Sequence, residues 1–287
     1  MKTGVIGAGA WGTALAITVA RGNNDVVLWS YDSEYKHFDN VDMPKNIRIT
    51  DNIADIKSAE VWLIVTPAAF MRETLKKAKV HYDGQPIIIC TKGAESSTGQ
   101  FMSEILQTEL PECVDFGVLS GPQFAAEVAR GVPTGSTLAG TNNTIVAGMQ
   151  ILNKLYLEAS QDIIGTELCG VGKNAVALIC GYNSVAASGE NERAMIFTRA
   201  WNEVVKLGIE MGGQEHSFLG LCGIGDLFLS ATSVTSRNFA GGMAIAQGKA
   251  PEGTVEGIFA LNGLIERANS LNIDIPVLVD MKKKMKL

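Results

Sequence analysis

An α/β fold, with an N-terminal doubly wound parallel sheet and a second, all-helical domain, is predicted by three observations. A glycine pattern, Gly7-Ala8-Gly9-Ala10-Trp11-Gly12, stands between an apolar strand ending at Val5-Ile6 and an Ala-rich helical stretch over residues 11–20. Short apolar runs then alternate with helical stretches through the first half of the chain, as parallel strands joined by crossover helices require. Near residue 165 the β-branched clusters thin out and long amphipathic segments take over. The expected division is 1–165 for the sheet domain and 166–287 for the helical domain, and a chain of 287 residues is ample for two cores.

The first turn has the form G-x-G-x-x-G in the strand-turn-helix setting that a dinucleotide-binding, Rossmann-like domain needs. Gly7 allows the tight turn, Gly9 lets the backbone approach a pyrophosphate, and Gly12 lets helix and strand pack closely. The helix start then offers its free N–H groups and positive dipole end to the phosphates. The competing reading is an ordinary glycine-rich turn. Residues 25–29 (DVVLW) form the next strand and deliver Ser30, Tyr31 and Asp32 to the place where such folds read the adenosine ribose. The runs at 60–66 and 86–90 read as strands buried on both faces, with a helix over 70–80 between them. A strand over 116–119 leads into Ser120-Gly121-Pro122, another covers 136–140, and a helix covers 143–157. In the second half, helices are expected over 172–187, 191–211 and 255–270.

Composition narrows the function classes. A net charge of −6 argues against a nucleic-acid-binding surface, while leaving room for a local cation cluster that binds a small anion. The five cysteines are dispersed without a C-x-x-C, which fits a reducing compartment better than a disulfide framework or a zinc site. His37, His81 and His216 are isolated, so neither a histidine metal site nor a Ser-His-Asp triad is expected. No signal peptide and no 18-residue apolar run are read, so the expectation is a cytoplasmic protein without a membrane span.

Candidate chemistry sits at strand ends and in two clusters of the helical half. Lys92, in Thr91-Lys92-Gly93, either meets an anionic ligand or is a solvated loop lysine. Gly170-Val171-Gly172-Lys173-Asn174 places a lysine and an amide at the expected start of an apolar helix. There the helix dipole disfavours the ammonium and suits the amine to proton transfer. The alternative is a lysine snorkelling out of the first turn. Asp226 follows Gly223-Ile224-Gly225, and the hydroxyl-rich run Thr232 to Ser236 ends in Arg237-Asn238. Such a loop reads as a phosphate or polyol clamp, because guanidinium binds phosphate bidentately, or as a Ser/Thr turn with a surface arginine.

Taken together, these motifs resemble one family. Gly7 to Ala16, Val27-Leu28-Trp29, Thr91-Lys92-Gly93, Ser120-Gly121-Pro122 with Phe124-Ala125, Gly172-Lys173-Asn174, Gly225-Asp226, Thr232-Ser233, Ser236-Arg237-Asn238 and Val255-Glu256-Gly257 occur in the order and approximate spacing of the bacterial-type NAD(P)-dependent glycerol-3-phosphate dehydrogenases. The resemblance covers nearly the whole chain. It implies reversible reduction of dihydroxyacetone phosphate to sn-glycerol 3-phosphate with NAD or NADP, a homodimer, and a role in phospholipid synthesis. It also implies that Lys173 is the catalytic general acid and base. Lys92, Gly121, Gln123, Asn174, Asp226, Ser236, Arg237 and Asn238 would bind substrate. Gly7, Gly9, Ala10, Trp11, Gly12, Tyr31, Asp32, Lys92, Ala125, Arg237 and Glu256 would bind cofactor, with no metal.

Four departures from the family pattern qualify this. Tyr31-Asp32 stands where a basic residue often awaits a 2′-phosphate, which tilts the expected preference toward NAD. Gln123 replaces the usual serine after Ser-Gly-Pro. Phe239-Ala240-Gly241-Gly242 replaces a pair of arginines after Ser236-Arg237-Asn238, and the sequence ends at Leu287 where further helices are usual. Two alternatives stay open at this point: a related Rossmann hydroxyacid dehydrogenase, and a catalytically silent nucleotide-binding protein.

Overall fold

Alternation along each early strand builds the first unit. In the computed structural model, which describes residues 1–95 and 98–287, eight strands form one sheet: β1 (Lys2–Ile6), β2 (Asp25–Trp29), β3 (Ile47–Thr50), β4 (Val61–Ile64), β5 (Ile87–Ile89), β6 (Phe116–Ser120), β7 (Gly135–Gly140) and β8 (Tyr156–Ser160). Their order is β3-β2-β1-β4-β5-β6-β7-β8. Ile6 is in register with Trp29 on one side and Ile64 on the other. The helices of this unit are α1 (Ala10–Arg21), α2 (Met71–Ala78), α3 (Met102–Glu109), α4 (Ala125–Arg130) and α5 (Asn142–Ile151).

Successive side chains feed two separate cores. Ile6, Trp29, Ile64, Ile87 and Ile89 pack with Met71 and Leu75 of α2 and with Ile105 of α3. Their neighbours Val5, Leu28, Leu63 and Ile88 pack with Leu15 and Val19 of α1 and Ile151 of α5. A sheet covered on both faces is the doubly wound arrangement expected from the apolar runs.

Three expectations need correction. The sheet is not wholly parallel, because β7 runs antiparallel to β6. The helix expected over 143–157 stops at Ile151, and residues 156–160 form β8 instead. Strand β3 was also not expected. Both β3 and β8 are edge strands with no fully buried residue, so they lack the apolar alternation by which a strand is read.

The second unit contains α6 (Ile163–Ala186), α7 (Glu190–Glu210), α8 (Glu215–Leu219), a π-helical turn over Leu221–Gly225, α9 (Asp226–Ala231), α10 (Arg237–Ala246), α11 (Glu256–Ser270) and α12 (Pro276–Met285). The compact units divide at 163/164, and among the described residues 93–95 and 98–100 group with the second unit. Arg267 of α11 donates to the Gly99 carbonyl at 3.4 Å, a contact across 168 positions that local patterning cannot reveal.

Helix α6 is the core of the helical unit. It is the one helix among the described residues long and apolar enough to cross a membrane by composition, contrary to the expectation of no such run, and 78% of its most apolar window is buried inside the fold. Burial of that kind marks a core helix. A Cβ at Gly181 of α6 would run into the Phe239 carbonyl of α10, and one at Gly242 of α10 would run into the Leu178 carbonyl of α6. The two helices therefore touch backbone to backbone at paired glycines.

Candidate active site

The candidate residues fall into two groups, one in each unit. In the first, β1 is followed by Gly7, which has a φ of +114°. A Cβ there would lie 2.9 Å from the Val65 carbonyl oxygen, and one at Gly12 would run into the Gly7 carbonyl. Those two glycines are required by the packing of strand, turn and helix. Gly9 is different: a Cβ there would meet nothing within 4 Å. It leaves a cradle before α1, whose N-terminus carries no side-chain cap, so its first N–H groups can receive an anion. Beside it, the buried Thr66 hydroxyl has no partner among the described residues. This donor-rich, side-chain-free turn fits a dinucleotide pyrophosphate.

At the end of β2, Ser30 Oγ donates to Asp32 Oδ1 at 2.9 Å and the Glu34 N–H donates to the same oxygen at 3.2 Å. These bonds, the Ser30 hydroxyl first, hold the Asp32 carboxyl below the usual carboxylate range. Tyr31 is 78% exposed, and the Lys77 ammonium stands 5.0 Å over its ring. Lys92 donates to the Gly121 carbonyl at 3.1 Å. Gln123 Nε2 donates to the buried Ser136 hydroxyl, leaving Gln123 Oε1 and the Ser120 hydroxyl buried without partners among the described residues. Trp11 and Ala125 pack on the small cluster of Ala14, Ile17, Val128 and Ala129 that joins α1 to α4.

In the second unit, Lys173 Nζ donates to Asp226 Oδ1 at 3.0 Å and to Ser230 Oγ at 2.8 Å. The lysine side chain is 13% exposed and the aspartate 2%. Ser230 and Asp226 are also 3.3 Å apart, one helical turn from each other. Asn174, next along α6, is tied to Asn238 of α10 at 2.8 Å and lies 3.4 Å from Glu256 of α11. Ser236 caps α10 by accepting the Phe239 N–H. Arg237, the first residue of that helix, is exposed. Such a site offers a proton donor beside a carboxylate, and a cation at a helix N-terminus where an anion is favoured. Among the described residues no cluster of three or more His, Cys, Asp or Glu side chains could hold a metal ion.

Comparison with known proteins identifies the family. Residues 2–146 match the family described as NAD-dependent glycerol-3-phosphate dehydrogenase N-terminus, and residues 162–285 match its C-terminus. The chain belongs to the NAD-dependent glycerol-3-phosphate dehydrogenase family. It is 36% identical to glycerol-3-phosphate dehydrogenase [NAD(P)+] of Parvibaculum lavamentivorans, over 96% of this chain and 89% of that protein. It is 37% identical to that of Afipia carboxidovorans, over 95% and 88%. The crystal structure of glycerol-3-phosphate dehydrogenase from Coxiella burnetii superposes with a TM-score of 0.90 at 29% identity, covering 99% of this chain and 94% of that one. A D-mandelate dehydrogenase shares only the fold, at 11% identity and a TM-score of 0.68.

In this dehydrogenase the residues singled out from sequence fall into the two groups just described. Lys173 needs a correction. It does not open a helix: α6 begins at Ile163, ten residues earlier, so the N-terminal dipole does not act on it. Its neighbour Asp226 stabilises the ammonium instead. Arg237-Asn238 do not end a loop either, but begin α10. Phe239, which follows Asn238, is buried, with its carbonyl against Gly181. Two residues outside the sequence-derived site are prominent in the structure. Ser230 was legible as one helical turn beyond Asp226, had α9 been recognised. Ser136 carries no sequence signal.

Proposed function

We propose that this chain reduces dihydroxyacetone phosphate to sn-glycerol 3-phosphate, reversibly and with NADH or NADPH, in support of phospholipid synthesis. The observation that carries the reading is the Lys173–Asp226–Ser230 triangle, buried in the helical unit of a glycerol-3-phosphate dehydrogenase fold.

Reduction of a ketone needs a hydride at carbon and a proton at oxygen. Gly7, Gly9, Ala10, Trp11 and Gly12, with Ala125 and Glu256 as further contacts, would hold a nicotinamide dinucleotide, which would supply the hydride when bound. Lys173 donates the proton to the C2 oxygen, and its ammonium stabilises the alkoxide charge that develops there. Asp226 and Ser230 hold that ammonium in place through hydrogen bonds of 3.0 and 2.8 Å. In the reverse direction the neutral amine accepts the C2 hydroxyl proton. Arg237 and the first turn of α10 hold the substrate phosphate, while Lys92, Gly121, Gln123 and Asn174 engage the rest of the three-carbon chain. The fixed Asp32 carboxylate accepts hydrogen bonds from an unsubstituted ribose and repels a 2′-phosphate, so NAD is the preferred cofactor.

Loss of NADH absorbance on adding dihydroxyacetone phosphate tests the proposal directly. Stoichiometric conversion to glycerol 3-phosphate supports it. Binding of NADH without turnover overturns it in favour of a silent nucleotide-binding protein, and turnover of 2-ketoacids alone points to a hydroxyacid dehydrogenase.

A further inference from the structure

A polar seam joins α6 to the segment that carries Asp226. On α6, Thr166, Cys169 and Lys173 follow one another at intervals of three and four, which puts them on one face of the helix. Opposite them, Cys222, Asp226 and Ser230 recur every four positions through the π-helical turn and α9. Cys222 Sγ lies 3.9 Å from Thr166 Oγ1. Cys169 and Cys222 both donate to the Ser217 carbonyl of α8, at 3.7 and 3.2 Å. One turn further along each element, Lys173 meets Asp226 and Ser230.

Cys222 stands in the middle of this seam and is fully buried, as are Thr166 and Cys169. Its thiol has one proton to donate, and the Ser217 carbonyl is its nearer acceptor. The turn it belongs to is wound tightly against α8. The Gly225 N–H bonds back five positions to the Gly220 carbonyl at 3.2 Å, and a Cβ on Gly223 would run into the Phe218 carbonyl. π-Helical turns are rare and gather at functional sites, and this one sets the phase at which α9 begins. A slip of one position would bring up Gly225, which has no side chain, or the apolar Leu227 in place of Asp226.

We propose that Cys222 is a positioning residue that acts through Asp226, its thiol bond to the Ser217 carbonyl fixing the register of the π-helical turn against α6 so that the Asp226 carboxylate faces Lys173. The catalytic part of this rests on the dehydrogenase reading above, in which Lys173 serves the C2 oxygen. Cys169, donating to the same carbonyl from α6, holds the other side of the seam.

The test is a pair of variants with side chains of nearly equal size, Cys222→Ala and Cys222→Ser. Serine keeps a donor for the Ser217 carbonyl and alanine does not, so the two separate the hydrogen bond from packing. Cys222→Ala should lower kcat for dihydroxyacetone phosphate by about three- to tenfold, the scale of one lost hydrogen bond. NADH affinity by fluorescence titration should not change. In its crystal structure Lys173 Nζ and Asp226 Oδ1 should lie beyond hydrogen-bonding range, about 3.5 Å. Cys222→Ser should keep that contact and return kcat to within about twofold of the parent. Equal losses of kcat in the two variants, or a Lys173–Asp226 bond intact in the alanine variant, would mean that the thiol only fills space and would overturn the proposal. If the smaller pair does not fold, Cys222→Thr and Cys222→Val repeat the comparison with the gap filled, again differing in the hydroxyl alone. The crystallographic comparison needs no turnover. A parent that does not reduce dihydroxyacetone phosphate, yet whose Lys173–Asp226 contact opens only in the variant lacking the donor, fails the dehydrogenase reading and leaves the positioning role standing.

Discussion

Lys173 illustrates how a residue's chemistry can be legible while its cause is not. A lysine followed by an asparagine at an expected helix start offered proton transfer as one of two readings of the sequence. The expected cause was a helix N-terminus, whereas the structure supplies a carboxylate and a hydroxyl at 3.0 and 2.8 Å. Lys173→Ala should lower kcat by about 10²–10⁴-fold, the range for a lost general acid, with NADH affinity by fluorescence titration unchanged. Near-parental turnover would remove Lys173 from the mechanism. Arg237→Ala should weaken substrate binding by about 1.5–3 kcal/mol, the scale of a charge-assisted hydrogen bond, seen as a raised KM. An unchanged KM would place the phosphate elsewhere. At the other site, Asp32→Ala should raise kcat/KM with NADPH relative to NADH, and a ratio that stays constant would show that Asp32 does not read the ribose. Ser136 and Ser230 were not among the expected site residues: Ser136 carries no signal, and the spacing of Ser230 from Asp226 has meaning only once α9 is known.

Elements bring these residues together through contacts between backbones. Strands buried on both faces were read with boundaries within two residues, because nearly every position is apolar. Edge strands β3 and β8 were not, because half their surface is wet. In the helical unit the decisive contact is between α6 and α10, where Gly181 and Gly242 each face a carbonyl of the other helix. That approach sets Asn238 against Asn174. Gly181→Ala should destabilise the protein by about 1–3 kcal/mol through overpacking, measured by urea unfolding, and should also lower kcat/KM because α10 is pushed outward. Loss of stability with full activity would show that the catalytic groups do not depend on this crossing.

Across the whole molecule, the five cysteines are free and four of them are buried. Burial pushes the Cys180 thiol up to about 12, and it raises the Cys90 thiol and the Tyr82 hydroxyl as well. In the unfolded chain a thiol ionises near about pH 8.5, so the folded state holds more protons above that point. Stability from these groups is complete below about pH 8.5 and declines as pH rises toward 12. Melting curves should show Tm falling from pH 9 upward, with Cys180→Ala flattening the decline; a flat profile in the parent would refute it.

The sequence by itself determined the glycine turn, the apolar strands, the helical second half and the kinds of side chain available for chemistry. These are local properties, written in spacing and periodicity. Only the tertiary structure decided which of those side chains act together. Lys173 meets Asp226 across 53 positions and Asn174 meets Asn238 across 64. Such partners are chosen by how closely helices can approach, and in this protein that depends on where a carbonyl finds a glycine opposite it.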